Sequence, residues 1–487
     1  MGAVHSFWYW MKKLIAKLDI PYVFIFLVVL LSRLPFINAG LGTDRDAWRV
    51  ACAARYIANT GEYVASRLPG YPIPEFIYSL MWGFDFRWWN LITSALSGVS
   101  AVVLAHIGKK YVTKDEYILL SLVFAFTSII FVNSTTAMDY IWALTFILIA
   151  WYALISSKIL LAGFFLGIAS GCRFTSLLML FPMLTAIVFD QTRNKKITRS
   201  IILVLMTIAT TALAYLPVFN RYGFNFLKFH FSAERLLTAV FRAIFFEVWG
   251  IIGSVSLIAG WMFFLVRYRQ RINTLLNFKL ANGIWLLIIV MYFVLYLCFP
   301  FESAYLIPIV PFLYLFISRV FPKWLFNTVS ICIIVSAFLI GIDSADRPWS
   351  AKGSYFSSIV NVGDRRLLVD WLQGPVLIEQ NRRIQHRKYV DHIIAIGDTM
   401  SNRSVFITGV WMPYFILATE NALPDNSGEY VLTRGNVDYV DLLSKEKLEA
   451  YMRRGMEIFY LTGVDEYLYN EKGFNICDYG ARELFVE

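Results

Sequence analysis

Asp44 and Asp46 stand one residue apart in the stretch GLGTDRDAWRVACAARYIANTGEYVASRLPGYPIPEF, which also carries Arg45, Arg49, Arg55 and Arg67. The stretch follows directly on an apolar run that reads as a membrane helix. Its charge therefore sits at the lip of a bilayer, at the height of a lipid phosphate. A carboxylate placed there can take the proton of a hydroxyl. Fixed cations beside it can stabilise negative charge on a leaving phosphate. A simpler reading also fits: an amphipathic helix lying on a membrane, with Asp44 as a solvated N-cap and no chemistry.

Those side chains need elements to hold them. From Asp46 onward the stretch has helical spacing, with Trp48, Cys52, Arg55 and Tyr56 recurring at turns and Gly61 ending the helix. The segment RLPGYPIP (67–74) cannot continue as a helix, because its prolines break it and Gly70 turns it. EFIYSLMWGFDFRWW (75–89) reads as a short helix with an aromatic interfacial cluster. The loop 39–90 is thus an ordered surface element.

The chain around it is apolar. Of its 487 residues 58% are hydrophobic, and runs of the length that a bilayer needs recur throughout. We place helices near 20–38, 91–108, 117–133, 140–157, 159–173, 175–190, 200–219, 248–266, 281–299, 304–320 and 324–342, about eleven spans. Lys12, Lys13 and Lys17 precede the first, and no small-residue cleavage site follows, so it reads as a signal anchor. The net charge of +10 collects in short loops and does not indicate nucleic-acid binding. The five cysteines are scattered, with no CxxC and no zinc spacing.

Basic loops alternate. GKKYVTK (108–114), Lys158, RNKKITR (193–199), RYRQRINTLLNFK (267–279) and SRVFPK (318–323) fall on the side of Lys12 and Lys13. The positive-inside rule then makes the N-terminus cytoplasmic and residues 343–487 external. The fold expected is mostly α, a multi-pass transmembrane helical domain (1–342) with a small external C-terminal α/β domain (343–487). In that second domain GPVLIEQ (374–380), SVFITGV (404–410), EYVLTR (429–434) and EIFYLTG (457–463) read as strands. GDRRLLVDWL (363–372) and LLSKEKLEAYMRRG (442–455) read as helices. Together they imply a largely parallel sheet.

Other charges break the pattern. The external loop 220–247 holds Arg221, Lys228, His230, Arg235 and Arg242, where few cations are expected. They are candidates to bind a phosphate. Arg173 lies in an otherwise apolar stretch, where charge is costly and often functional. Glu302 follows Pro300 at an outer helix start, as a helix-start acid or as a sugar ligand.

The first loop resembles that of the GT-C glycosyltransferases, membrane enzymes that use polyprenyl-phosphate sugars. The features shared are the acidic motif just past the first helix, the small-residue helix, the turn GEY and the proline segment. LAGFFLGIASGCRFTSLLMLFPML (161–184) is similar to the family's Gly-rich span pair joined at an Arg. FESAYLIPIVPFL (301–313) is similar to its late aromatic–Tyr–Leu–Pro helix start. Within that superfamily the chain is similar to the family 39 / dolichyl-phosphate-mannose mannosyltransferase-like group. The chain departs from the aminoarabinose and protein mannosyl branches at Arg45, where those have Glu directly after the acid.

The resemblance implies transfer of a sugar from a polyprenyl-phosphate donor, such as an undecaprenyl phosphate, to a lipid, glycan or protein acceptor. The transfer would occur on the outer face of the inner (plasma) membrane. It implies Asp44 or Asp46 as general base, Asp44 first, with the other orienting the acceptor or a divalent cation such as Mg²⁺ or Mn²⁺. The phosphate would meet Arg173 and the five residues of loop 220–247. Arg49, Arg67, Tyr71, Glu302 and Tyr305 would line the substrate. A transporter would instead show two matching halves with ionisable groups at mid-bilayer. A lipid-linked polysaccharide ligase or polymerase would carry a large late loop within its spans. A sensor would leave the first loop unexplained.

Overall fold

The computed structural model describes residues 19–112, 116–190, 194–227, 236–268, 280–300, 302–418, 431–441 and 443–484. Lys12, Lys13, Lys17, Lys228, His230, Arg235 and most of the basic loop 267–279 lie outside them.

The first part is helical. Its helices are α1 (Ile20–Arg33), α2 (Arg45–Thr60), α3 (Pro72–Leu80), α4 (Phe86–Gly108), α5 (Glu116–Phe126), α6 (Ser128–Asn133), α7 (Tyr140–Ile155) and α8 (Ile159–Cys172). They continue as α9 (Leu180–Phe189), α10 (Lys196–Tyr222), α11 (Leu236–Arg242), α12 (Gly250–Arg267), α13 (Leu280–Cys298), α14 (Ile309–Val320) and α15 (Lys323–Ser336).

Among the described residues, four helices are long and apolar enough to cross a membrane: Phe86–Gly108, Lys196–Asn225, Gly250–Arg267 and Ala281–Cys298. The remaining apolar helices are shorter, so the structure does not reproduce eleven full-length spans. The segment 117–133 breaks at Thr127, and 175–190 opens with a 3-10 turn over Phe174–Met179. The segment 75–89 does not run through as one helix: α3 stops at Leu80 and α4 starts afresh, capped by Asp85. Large apolar side chains such as Ile201, Leu205, Ile208, Leu213 and Leu216 point outward from α10. An apolar outward surface of this kind is what lipid requires.

Small residues set the helix packing. Gly163, Gly167 and Gly171 recur every fourth residue along α8 and let α10 approach closely. A Cβ at Gly163 would meet Met206 at 2.7 Å, and one at Gly171 would meet Ala214 and Ile73 at 2.7 Å. The last contact ties α8 to α3, so the helix that ends just before Arg173 also supports the first loop.

The C-terminal part holds two sheets. The strands are β1 (Gly341–Ser344), β2 (Ser357–Val362), β3 (Arg365–Asp370), β4 (Ser404–Ile407), β5 (Val431–Arg434), β6 (Val437–Val440), β7 (Glu457–Tyr460) and β8 (Arg482–Glu483). β4 pairs in parallel with β6 and β7, β8 is parallel to β7, and β5 is antiparallel to β6. This is the largely parallel sheet the sequence implied. Around it pack α16 (Pro375–Thr399), α17 (Met412–Ala418), α18 (Lys445–Arg453) and α19 (Val464–Lys472), burying Ile393, Phe415, Leu448 and Leu468 against Val405, Phe406 and Ile407.

Two local assignments are reversed. The run 374–380 is the start of helix α16, not a strand. Pro375 opens it at a position where no N–H is needed, and burial at Val376, Arg383, His386, Val390, Ile393 and Gly397 follows a helical period. The run 363–372 is strand β3, not a helix. Gly363, at φ +60°, turns the chain from β2, and burial at Leu368 and Asp370 has the strand period of two. The resulting antiparallel sheet, in the order β1-β3-β2, was not foreseen.

Candidate active site

Asp44 is the N-cap of α2, and its Oδ1 accepts the N–H of Asp46 at 2.9 Å. The capping role is therefore real, but the site is not a solvated one. Asp46 is buried, and its carboxylate pairs with Arg67 and, at 3.3 Å, with Arg49. Glu302 joins from the turn before α14, with Arg67 Nη1 at 3.7 Å. Carboxylate oxygens of Asp44, Asp46 and Glu302 lie within 4.8 Å of one another.

Arg67 is held by the segment that prolines keep out of helix. Its Nε donates to the Tyr71 hydroxyl at 2.6 Å and its Nη2 to the Tyr140 hydroxyl at 3.4 Å. Behind that segment Glu75 is fully buried and satisfied locally. It accepts from the N–H and hydroxyl of Ser66 at 2.8 and 2.5 Å, from the Tyr71 N–H at 3.2 Å, and from the Tyr63 hydroxyl. Tyr215 of α10 donates to the Gly70 carbonyl at 3.0 Å. A buried carboxylate with this many donors fixes the backbone around it.

Arg173 enters the same chamber from the end of α8. It pairs with Asp139 at 2.7 Å and its guanidinium lies over the rings of Tyr140, Tyr305 and Tyr71 at 3.9, 4.6 and 5.8 Å. Arg49, Arg67, Tyr71, Arg173, Glu302 and Tyr305 thus converge with the two aspartates. Arg221 lies elsewhere: it pairs with Glu62 at 3.2 Å, just past the far end of the 16-residue α2, about 24 Å along the axis from Asp44. Arg242 is largely exposed and pairs with Glu247 at 3.0 Å.

Sequence reasoning missed Asp139, Tyr140, Glu379 and Tyr414. Asp139 was accessible: it is the only acid between Glu116 and Asp190, and a cation as deep as Arg173 needs a counter-ion. Glu379 and Tyr414 were not, because they reach the loop from the C-terminal domain. Thr43 Oγ1 donates to Glu379, and the Tyr414 hydroxyl donates to the Thr43 carbonyl at 3.1 Å. His386 Nδ1 is 3.2 Å from the Tyr414 oxygen, and Trp48 stacks on the Tyr414 ring at 4.0 Å. The residue before Asp44 is therefore clamped on two sides by the C-terminal part of the chain. Burial lowers the His386 pKa to about 4, so the ring is neutral at pH 7.

Burial pushes the Asp44 carboxyl up, against the pull of Arg67 and Arg45. Glu302 is pushed up to about 6, first by burial and then by the negative charge of Asp44. One carboxylate, Asp46, is committed to two guanidiniums. The other two share charge in a half-buried pocket, an arrangement suited to accepting a proton.

The comparisons with known proteins add little. No family model matches the chain, and no curated protein matches it. Among solved structures, ArnT from Cupriavidus metallidurans bound to undecaprenyl phosphate aligns with TM-score 0.47 and 11% identity, over 95% of this chain and 88% of that one. The apo form of the same protein aligns with TM-score 0.38 and 14% identity, over 61% of this chain and 59% of that one.

The donor set of Asp44, Asp46 and Glu302 is of the hard-oxygen kind that Mg²⁺ or Mn²⁺ takes. Arg67, however, already pairs with both Asp46 and Glu302, so a cation there competes with a guanidinium.

Proposed function

We propose that the chain is a membrane glycosyltransferase that moves a sugar from a polyprenyl-phosphate donor to a hydroxyl of a lipid, glycan or protein acceptor. The observation that carries this reading is the meeting of three carboxylates with Arg67 at the start of α2. The first-loop motifs support it from the sequence.

In this reading Asp44 takes the acceptor hydroxyl proton. The freed oxygen attacks the anomeric carbon, the bond from that carbon to the phosphate oxygen breaks, and its electron pair leaves with the polyprenyl phosphate. Asp44 is the better base of the pair, since burial raises its pKa while Asp46 is bound by two guanidiniums. Arg67, with Arg173 behind it, faces the charge that grows on the phosphate. Asp46 and Asp139 orient those guanidiniums. Asp44, Asp46 and Glu302 would be the ligands of any divalent cation, which would neutralise phosphate charge. The external side of the plasma membrane is the side we assign to the C-terminal domain, from the distribution of Lys and Arg.

The test is release of polyprenyl phosphate from a polyprenyl-phosphate sugar by the purified protein in nanodiscs. Turnover by the natural protein and its loss in Asp44→Asn, with donor binding retained, is the expected result. Full turnover in both Asp44→Asn and Asp46→Asn would remove this loop from the chemistry.

A further inference from the structure

The end of the small antiparallel sheet next to α15 carries an exposed aromatic cluster. Tyr355 and Phe356 precede β2 and are 95% and 58% exposed; Trp371 and Leu372 follow β3 and are 56% and 49% exposed. The pairs are adjacent: the Trp371 N–H donates to the Phe356 carbonyl at 3.3 Å. Apolar side chains this large, gathered and exposed, mark an interaction surface.

Their place in the fold identifies the partner. α15 leads directly into this sheet. Trp324, Ile331 and Val335 are exposed apolar side chains on one face of it, at spacings of seven and four, and Leu339 lies exposed just past its end. This line of side chains ends where the cluster begins. The Ile340 N–H donates to the Trp371 carbonyl at 3.3 Å, and the Gly374 N–H to the Phe338 carbonyl at 2.8 Å. The exposed side of α15, apolar beyond Thr328, thus runs into the cluster. Lys352 is exposed close by, its carbonyl accepting from Gln373 at 3.2 Å and from Asn381 at 2.9 Å. Trp, Tyr and a flanking Lys are the side chains that suit the level of lipid headgroups.

We infer that Tyr355, Phe356, Trp371 and Leu372 seat in the headgroup region of the leaflet beside the C-terminal domain, as a second attachment of that domain to the membrane. The first is its covalent link at α15. The second attachment adds to the docking of α16 on the helical region, where buried Arg383 donates to the Thr135 and Val132 carbonyls, and helps keep Glu379 and Tyr414 over Thr43. The inference rests on reading the helical region as membrane-embedded, and it needs no turnover.

The experiment uses the full chain with its five free cysteines replaced, in nanodiscs of phosphatidylethanolamine and phosphatidylglycerol. A nitroxide is attached at single cysteines placed at 356, at 371, at 335 as the lipid reference and at 449 as the water reference. Collisions with oxygen and with a water-soluble nickel chelate are then compared. Positions 356 and 371 are expected to favour oxygen over nickel, as 335 does. Nickel-dominated collisions at both, as at 449, overturn the inference. So does dipolar broadening that disappears on tenfold dilution with unlabelled protein, which would give the surface to a second copy of the chain.

Discussion

The loop that carries Asp44 and the segment that carries Arg221 and Arg242 are both dense in charge and both face the same side in our topology, yet they are built differently. Around Asp44 the charges are buried or half-buried, mutually paired and supported by hydrogen-bonded tyrosines and by Glu75. Arg221 and Arg242 sit in exposed pairs with Glu62 and Glu247. The count of charges did not separate these regions. What separates them is whether the fold spends buried hydrogen bonds on holding the charges in one geometry. Exposed ion pairs contribute about 0–1 kcal/mol, whereas breaking a buried pair costs about 3–5 kcal/mol.

The comparison breaks most sharply at Asp44. Asp44→Asn keeps the cap, since the amide oxygen still accepts the Asp46 N–H, but cannot take a proton. Turnover is expected to fall by about 10²–10⁴-fold with donor affinity unchanged. Asp46→Asn frees Arg67 and Arg49 and should weaken donor binding as well as turnover. If the two variants exchange these phenotypes, the base moves to Asp46.

Arg67→Met comes next. It removes the cation that joins Asp46 to Glu302 and leaves two carboxylates facing each other. A loss of about 10²–10³-fold in kcat is expected, as for deletion of one donor at a developing anion. Arg67→Lys should recover only part of it, because an ammonium cannot reproduce the guanidinium fork. Full recovery by Lys would show that charge alone matters there.

Much of this site was legible beforehand, and for identifiable reasons. Asp44, Asp46, Arg49, Arg67 and Tyr71 lie within one short stretch, so spacing alone could bring them together. Arg173 and Glu302 stood out because charge next to an apolar helix is costly or conspicuous, whereas Tyr305 was singled out only by the family resemblance of FESAYLIPIVPFL. Glu379 and Tyr414 gave no such signal. They are ordinary residues on helices of the C-terminal part, and only its docking makes them neighbours of Thr43. The reversals in the fold have the same origin. PVLIEQ is too short to declare its period, which becomes helical only over the 25 residues of α16. The strand β3 is set by the turn at Gly363 and by pairing on both edges, neither of which composition announces.

The clamp gives an intermediate effect. Tyr414→Phe keeps the ring on Trp48 but removes the hydrogen bond to the Thr43 carbonyl. About tenfold loss in kcat is expected, with donor affinity unchanged, because loosening Thr43 displaces Asp44 and small misplacements are felt in rate. An unchanged rate would reduce the C-terminal part to a cover.

Glu302 yields a shift in pH dependence. Its pKa of about 6 is raised first by burial and then by the negative charge of Asp44, while Asp44 itself is raised chiefly by burial, against Arg67 and Arg45. Activity that needs Asp44 ionised is full on the alkaline side and is lost as pH falls through the pair's range. Glu302→Gln removes one negative charge, lowers the Asp44 pKa and moves that acid limb to lower pH. A limb that stays in place would uncouple Glu302 from the base.

The smallest expected effect is at Arg221, and it tests the comparison from its other side. Arg221→Gln removes a cation that stands beside Tyr56 and Glu62, at the end of α2 remote from Asp44. If buried geometry rather than local charge density defines the phosphate site, kcat and donor affinity should both stay within about twofold, and stability should change by no more than the ~1 kcal/mol of an exposed pair. Turnover and donor titration on the purified variant give the answer. A loss of donor affinity near that of Arg67→Met, with kcat for bound donor preserved, would show that the phosphate passes or rests at this loop, and the boundary drawn between the two regions would have to move.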